Sequence, residues 1–239
     1  MHTVAIHQPN FFPWLGIFHR ISLVDTFVFF DHVQAMGGKS WLSRNKILLN
    51  GEEQWLTIPI YKKDRLHQKI TEVEINYETN FVRKHYGTLK QSYGKSPHYK
   101  EIMNFIKQIY EQEFQYLSDF NKAFIKNTCE KLELYPTFVT STSILNNFSE
   151  IADISGNELV LEICKSLKAD NYISGTGCLD FINPESFVKQ EINFNFQNFE
   201  HPIYKQGFQK EFISHLSILD VLFYTGIEGT KNLLKEHIK

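Results

Sequence analysis

Apolar residues change their spacing several times along the chain, and each change predicts a different element. Thr-Val-Ala-Ile-His at residues 3–7 is a short apolar run that stops at Gln8-Pro9-Asn10, where proline blocks both a ladder and a helix. It reads as a buried strand followed by a turn. Behind Pro13, which suits the first position of a helix, Trp14, Leu15, Ile17, Phe18, Ile21 and Leu23 recur at helical spacing. Residues 26–30, rich in Phe and Val, form the next strand and end at Asp31. Strand, crossover helix and strand within about thirty residues make a βαβ unit, and hence a parallel sheet.

The pattern then shifts. In residues 35–78 the turn signals Gly37-Gly38 and Asn50-Gly51 flank apolar runs at 41–49 and 54–60, and 69–75 alternates, which predicts a β-rich excursion. Residues 79–134 carry helical spacing, for example Ile102, Phe105, Ile106 and Ile109, with breaks at Lys95-Ser96-Pro97 and at Ser118-Asp119. After Pro136 come a strand at 137–140, a helix from about 154 to 167, and strands at 172–174 and 192–196. Two helices, 216–224 and 229–235, close the chain. With no repeat, linker or low-complexity tract, residues 1–239 read as a single α/β domain: a parallel Rossmann-like sheet with a β-rich excursion and a helical insertion.

Charge removes some partners. Against 27 acidic residues stand 25 basic ones, so neither bare nucleic acid nor an anionic membrane is the expected main partner. No stretch approaches the ~20 apolar residues of a membrane span, and the first residues lack a basic, then apolar, leader; a cytoplasmic protein is expected. Cys129, Cys164 and Cys178 fit neither a disulfide framework nor a C-x-x-C site, and no histidine pair has metal-ligand spacing on a helix, so no metal is expected to be built into the fold. The 21 phenylalanines are expected mostly in the core.

In an open parallel sheet, ligands bind beyond the carboxyl ends of the strands. Three polar segments belong there: His7-Gln8-Pro9-Asn10, Asp31-His32-Val33-Gln34 and Ser174-Gly175-Thr176-Gly177. His7, at a strand end beside Gln8 and Asn10, suits donation to a phosphate or developing oxyanion and proton exchange near neutral pH; a ring that merely caps backbone groups is the plain alternative. His19 follows on the first helix near Gly16. Ser174 and Gly175 lie in a glycine turn suited to an anion, although it is neither a Walker loop nor G-x-G-x-x-G. Arg44, Asn45 and Lys46 could clamp phosphates, and His201, Tyr204 and Gln206 crowd polar groups around Pro202. Asp220 reads either as a surface acid or as a buried partner for a histidine, and Cys178 has no neighbour that would activate it.

The string His7-Gln8-Pro9-Asn10-Phe11-Phe12-Pro13-Trp14-Leu15-Gly16-Ile17-Phe18-His19-Arg20-Ile21 resembles the signature of the WbqC-like family. The likeness continues in Asp25, Asp31 to Gln34, Arg44 to Ile47, Trp55 to Ile60, Tyr172 to Gly175, His201 to Gln206 and Leu216 to Asp220. His32 departs from it, since a second acid is common there. The family is associated with O-antigen and other surface-polysaccharide clusters, so the resemblance implies an enzyme of lipopolysaccharide-type synthesis. The expected reaction is acyl or aminoacyl transfer to the amine of a nucleotide-linked amino sugar, with the sugar and an acyl or aminoacyl donor as partners. His7, His19 and Asp31 would be catalytic. Gln8, Asn10, Trp14, Gln34, Arg44, Asn45, Lys46, Ser174, Gly175, His201, Tyr204 and Gln206 would bind ligand. Leu15-Gly16-Ile17-Phe18-His19 and Ile173-Ser174-Gly175-Thr176 are similar, more distantly, to the HIGH-motif nucleotidyltransferase fold, whose usual first His is replaced near Phe18. That likeness implies a second reading, nucleotidyl transfer or ATP-dependent carboxylate activation, with ATP and magnesium. A noncatalytic scaffold in glycan assembly is the third, and a homo-oligomer stays open.

Overall fold

Alternation within β1 (Thr3–His7) divides the molecule into two cores: Ala5 joins one, Val4 and Ile6 the other. The computed structural model describes residues 1–35, 40–62, 65, 67–145, 156–207 and 211–237. Its central sheet has five strands, all parallel, in the order β5 (Thr137–Thr140), β2 (Thr26–Phe29), β1, β6 (Asn171–Ser174), β7 (Asn193–Phe196). A parallel sheet is covered on both faces, which is why β2 is buried along its whole length.

On one face, Ala5, Phe27 and Phe29 pack with residues of α1 (Leu15–Ser22), α2 (Phe81–Tyr93), α3 (Tyr99–Tyr110) and α4 (Leu117–Lys131). On the other, Val4, Ile6, Val28 and Tyr172 pack with α6 (Gly156–Ser166) and Phe187 of α7 (Pro184–Val188). Between β2 and β5 the chain also forms the hairpin β3 (Arg44–Leu49) and β4 (Glu52–Thr57). Its turn residues Asn50 (φ 54°) and Gly51 (φ 84°) take the left-handed conformation that a tight hairpin needs. Among the described residues no helix is long and apolar enough to cross a membrane.

Several boundaries differ from the sequence reading. Residues 69–75 do not form a strand: Ile70–Glu72 is a 3₁₀ turn, closed where the Glu72 carboxylate accepts the Lys69 N–H. Its apolar spacing comes from Ile70, Val73 and Ile75 entering the core. Pro13 lies ahead of α1 rather than in it, and its carbonyl accepts the N–H of Ile218 at the start of α8 (Ile218–His237). Ser118-Asp119 is no break, since α4 begins at Leu117 and Asp119 suits its first turn. The two C-terminal helices form one run interrupted at Gly226 (φ 68°), where a Cβ would lie 2.6 Å from the His98 ring. The five-residue helices α5 (Ser141–Leu145) and α7 are too short to announce themselves by periodicity. Gly37-Gly38 and the expected start of α6 at residue 154 lie outside the described residues.

Candidate functional site

Because the strands all run the same way, the loops after β1, β2 and β6 leave one edge of the sheet. From β1 the chain steps to β2 on one side, while β6 pairs on the other. Such a reversal of strand order opens a crevice beyond the strand ends. Here His7 ends β1 and Gly175 follows β6, so these two loops flank that position.

The opening loop is held from behind by side-chain amides. Asn45 donates to the carbonyls of Phe11 (3.2 Å) and Phe12 (2.8 Å), and Asn121 to those of Pro9 (2.7 Å) and Leu42 (2.8 Å). Asn45 therefore shapes the loop through its backbone, with its amide turned toward the chain. Within the loop, Asn10 Nδ2 lies 3.1 Å from His7 Nε2. With that amide as donor, the His7 proton sits on Nδ1. Burial first, and then the positive charge of Arg20, pull the His7 pKa down to about 3. The expected proton exchange near neutrality thus gives way to a neutral ring that offers hydrogen bonds.

Arg20, which sequence reasoning passed over, is the cation whose charge acts on this ring. It sits in the last turn of α1, 4% exposed, and its guanidinium rests on Gly175, where a Cβ would lie 2.7 Å from Nη1. Burial lowers its pKa, opposed by Tyr172 and Cys178. The available signal was a charge placed inside the apolar turn Phe18–Ile21. His19, its neighbour, is ~100° away around the helix and takes a different direction. It is 1% exposed, with Nδ1 2.9 Å from Gln197 Nε2 and its ring 4.6 Å from Phe199. Gln197 in turn donates from its backbone to the Ser174 carbonyl (2.7 Å), so His19 stands behind the β6 and β7 ends.

Asp31 sits just beyond β2, where its carboxylate has four polar contacts among the described residues. One oxygen accepts from Ser141 Oγ, Thr142 N and Thr142 Oγ1, and the other faces Lys122 Nζ at 3.3 Å. It joins β2 to α4 and α5. Beside it, His32 Nδ1 lies 2.7 Å from Ser141 Oγ, and burial lowers its pKa.

The model of the WbqC-like protein family matches residues 8–232, nearly the whole chain. The chain belongs to that family. It is 32% identical, over 96% of both chains, to a Mycobacterium tuberculosis protein named only "Uncharacterized protein Rv1507c". No solved structure matches it significantly.

In this WbqC-like chain the remaining candidate residues do not all gather at the crevice. Gln34 meets His67 (3.0 Å), Arg44 stacks over Trp55 (3.8 Å), and Lys46 pairs with Glu53 across the hairpin. Trp14 folds over Gly16, leaving no room for a Cβ, and lies nearly parallel to His201 (6.2 Å, 13°). Tyr204 and Gln206 donate to Asp220 at 2.6 and 2.7 Å. Asp220 is buried, so it is no surface acid, and among the described residues its side-chain partners are tyrosines and an amide instead of a histidine. Ser174 Oγ donates to the Gly175 carbonyl (3.3 Å), and Gln8 is half-buried in the opening loop.

Burial raises the Asp220 pKa, against the hydrogen bonds from Tyr204, Gln206 and Tyr93 that lower it. The folded state therefore holds this proton to higher pH than the unfolded chain does. Its contribution is complete below the unfolded value and is lost as pH rises through the raised one. Asp220→Asn is expected to remove that decline, read as a flatter pH dependence in urea melts from acidic to neutral pH.

An open cavity of about 900 Å³ lies elsewhere, between the β3–β4 turn, the end of α2 and residues 205–207. Lys90, Lys95 and Lys205 line it, all exposed. Exposed lysines hold a ligand with less preorganisation than the buried polar groups of the crevice, which is the better candidate site.

Proposed function

We propose that this WbqC-like protein is an enzyme of surface-polysaccharide (O-antigen type) synthesis. Its reaction is acyl or aminoacyl transfer to the amine of a nucleotide-linked amino sugar. One observation carries the reading: the β1/β6 crevice, flanked by His7 and Asn10 on a loop held by buried amides, and by Gly175 beyond β6. In this reaction the sugar amine attacks the donor carbonyl, an oxyanion develops, and as the oxyanion collapses the bond to the leaving group breaks, the leaving group taking up the proton that the amine loses. The neutral His7 ring is suited to stabilise that oxyanion through Nδ1–H. Asn10 sets its tautomer, while His19 and Asp31 order the strand ends around it.

A thermal-shift panel of nucleotide-linked amino sugars, acyl donors and nucleoside triphosphates tests this, with mass spectrometry of the products. A ligand at ~100 times its dissociation constant adds ~2.7 kcal/mol of stability. Stabilisation by a nucleotide-linked amino sugar and an acylated product are expected. Stabilisation by a triphosphate with magnesium, and pyrophosphate release, would replace this reading with nucleotidyl transfer or carboxylate activation. Binding without any product would make the protein a scaffold.

A further inference from the structure

We propose that Arg20 anchors an oxyanion site in the β1/β6 crevice, and that its ligand is the diphosphate of a nucleotide-linked substrate. The substrate class rests on the proposed function; the anion site itself rests on geometry. Arg20 is 4% exposed, forms no ion pair or hydrogen bond among the described residues, and has no partner for its buried Nε. A guanidinium buried this deeply is ordinarily matched by a carboxylate or a set of carbonyls, because removing a charge from water is costly. The titratable groups that interact electrostatically with it are His7, Tyr172 and Cys178, and no carboxylate is among them.

The placement shows where the missing partner arrives. Arg20 reaches from the last turn of α1 to Gly175, immediately beyond the end of β6. Only the absence of a side chain at Gly175 leaves space for the guanidinium, since that residue has an ordinary φ of −78°. His7, at the end of β1, carries no negative charge in either protonation state and so does not offset the guanidinium. The crevice is thus an uncompensated cation at the position where a parallel sheet of this order receives its ligand. The planar fork of arginine pairs with two phosphoryl oxygens at once.

The test is titration calorimetry with pyrophosphate, and separately acetate, on the wild type, Arg20→Gln and Gly175→Ala, together with melting temperatures without ligand. Pyrophosphate is expected to bind the wild type, and Arg20→Gln to weaken it roughly ten- to hundredfold. Without ligand, Arg20→Gln is expected to melt no lower than the wild type, because it removes a buried unpaired charge. Gly175→Ala is expected to keep the fold's circular dichroism and lose pyrophosphate binding, by displacing the guanidinium. Equal pyrophosphate binding by Arg20→Gln overturns the proposal. So does acetate binding the wild type as well as pyrophosphate, or a fall in the melting temperature of unliganded Arg20→Gln, which would mark Arg20 as structural. Pyrophosphate binding through Arg20 with no acyl transfer would leave this site standing and remove the transferase reading. Transfer unaffected by Arg20→Gln would do the reverse.

Discussion

His7→Ala is expected to lower acyl transfer to a nucleotide-linked amino sugar by about 10²–10³-fold, the cost of removing one oxyanion donor. The melting temperature should change little. His7 is only half-buried by surface exposure, and among the described residues its one side-chain hydrogen bond is to Asn10, so the fold depends on it weakly. A kcat loss with little change in KM is the expected division, since the donor acts where charge develops. Asn10→Ala should produce a smaller loss of the same kind, because it frees the ring without removing it. Steady-state kinetics with circular dichroism check both, and an unchanged rate in His7→Ala removes the residue from the reaction.

The second large effect is on acid stability and centres on His85, a buried ring of α2. This ring is 4% exposed, with Nδ1 2.6 Å from the Tyr110 hydroxyl and Nε2 2.9 Å from the Thr57 carbonyl. Burial lowers its pKa from 6.5 to about 4, against the Thr57 bond that raises it. Between these values the unfolded chain binds a proton that the folded one refuses, so stability falls as pH falls through that window. The loss is about 3 kcal/mol once the folded ring is also protonated. His7, lowered to about 3, adds to the loss in the same direction and extends it to lower pH. Urea melts at neutral pH and near pH 4 should show the decline in the wild type and a smaller one in His85→Gln. An equal decline in both would mean that His85 already carries its charge in the fold.

How far the sequence reaches depends on the kind of contact. The parallel sheet was legible because its strands are short apolar runs that end at polar turns, as at His7-Gln8-Pro9. The Asn50-Gly51 turn was legible because its left-handed residues are chemically marked. The 3₁₀ turn at Ile70–Glu72 was not, since Ile70, Val73 and Ile75 meet the core while Lys69, Glu74 and Ile75 make only isolated β-bridges instead of a continuous ladder. At the site, sequence placed His7 and Gly175 on strand ends, but not Arg20 between them. A charged residue on an amphipathic helix usually faces water, and only the packing of α1 against Gly175 turns this one inward. Likewise the partners of Asp220 come from sixteen and fourteen residues back along the chain, by a path that no local pattern describes.

The most direct test is a crystal structure with a nucleotide-linked amino sugar bound. The diphosphate is expected between the ends of β1 and β6, with its oxygens within hydrogen-bonding distance of the Arg20 guanidinium and the sugar amine on the His7 side. A ligand seated instead among Lys90, Lys95 and Lys205, with the crevice unchanged, would contradict the account.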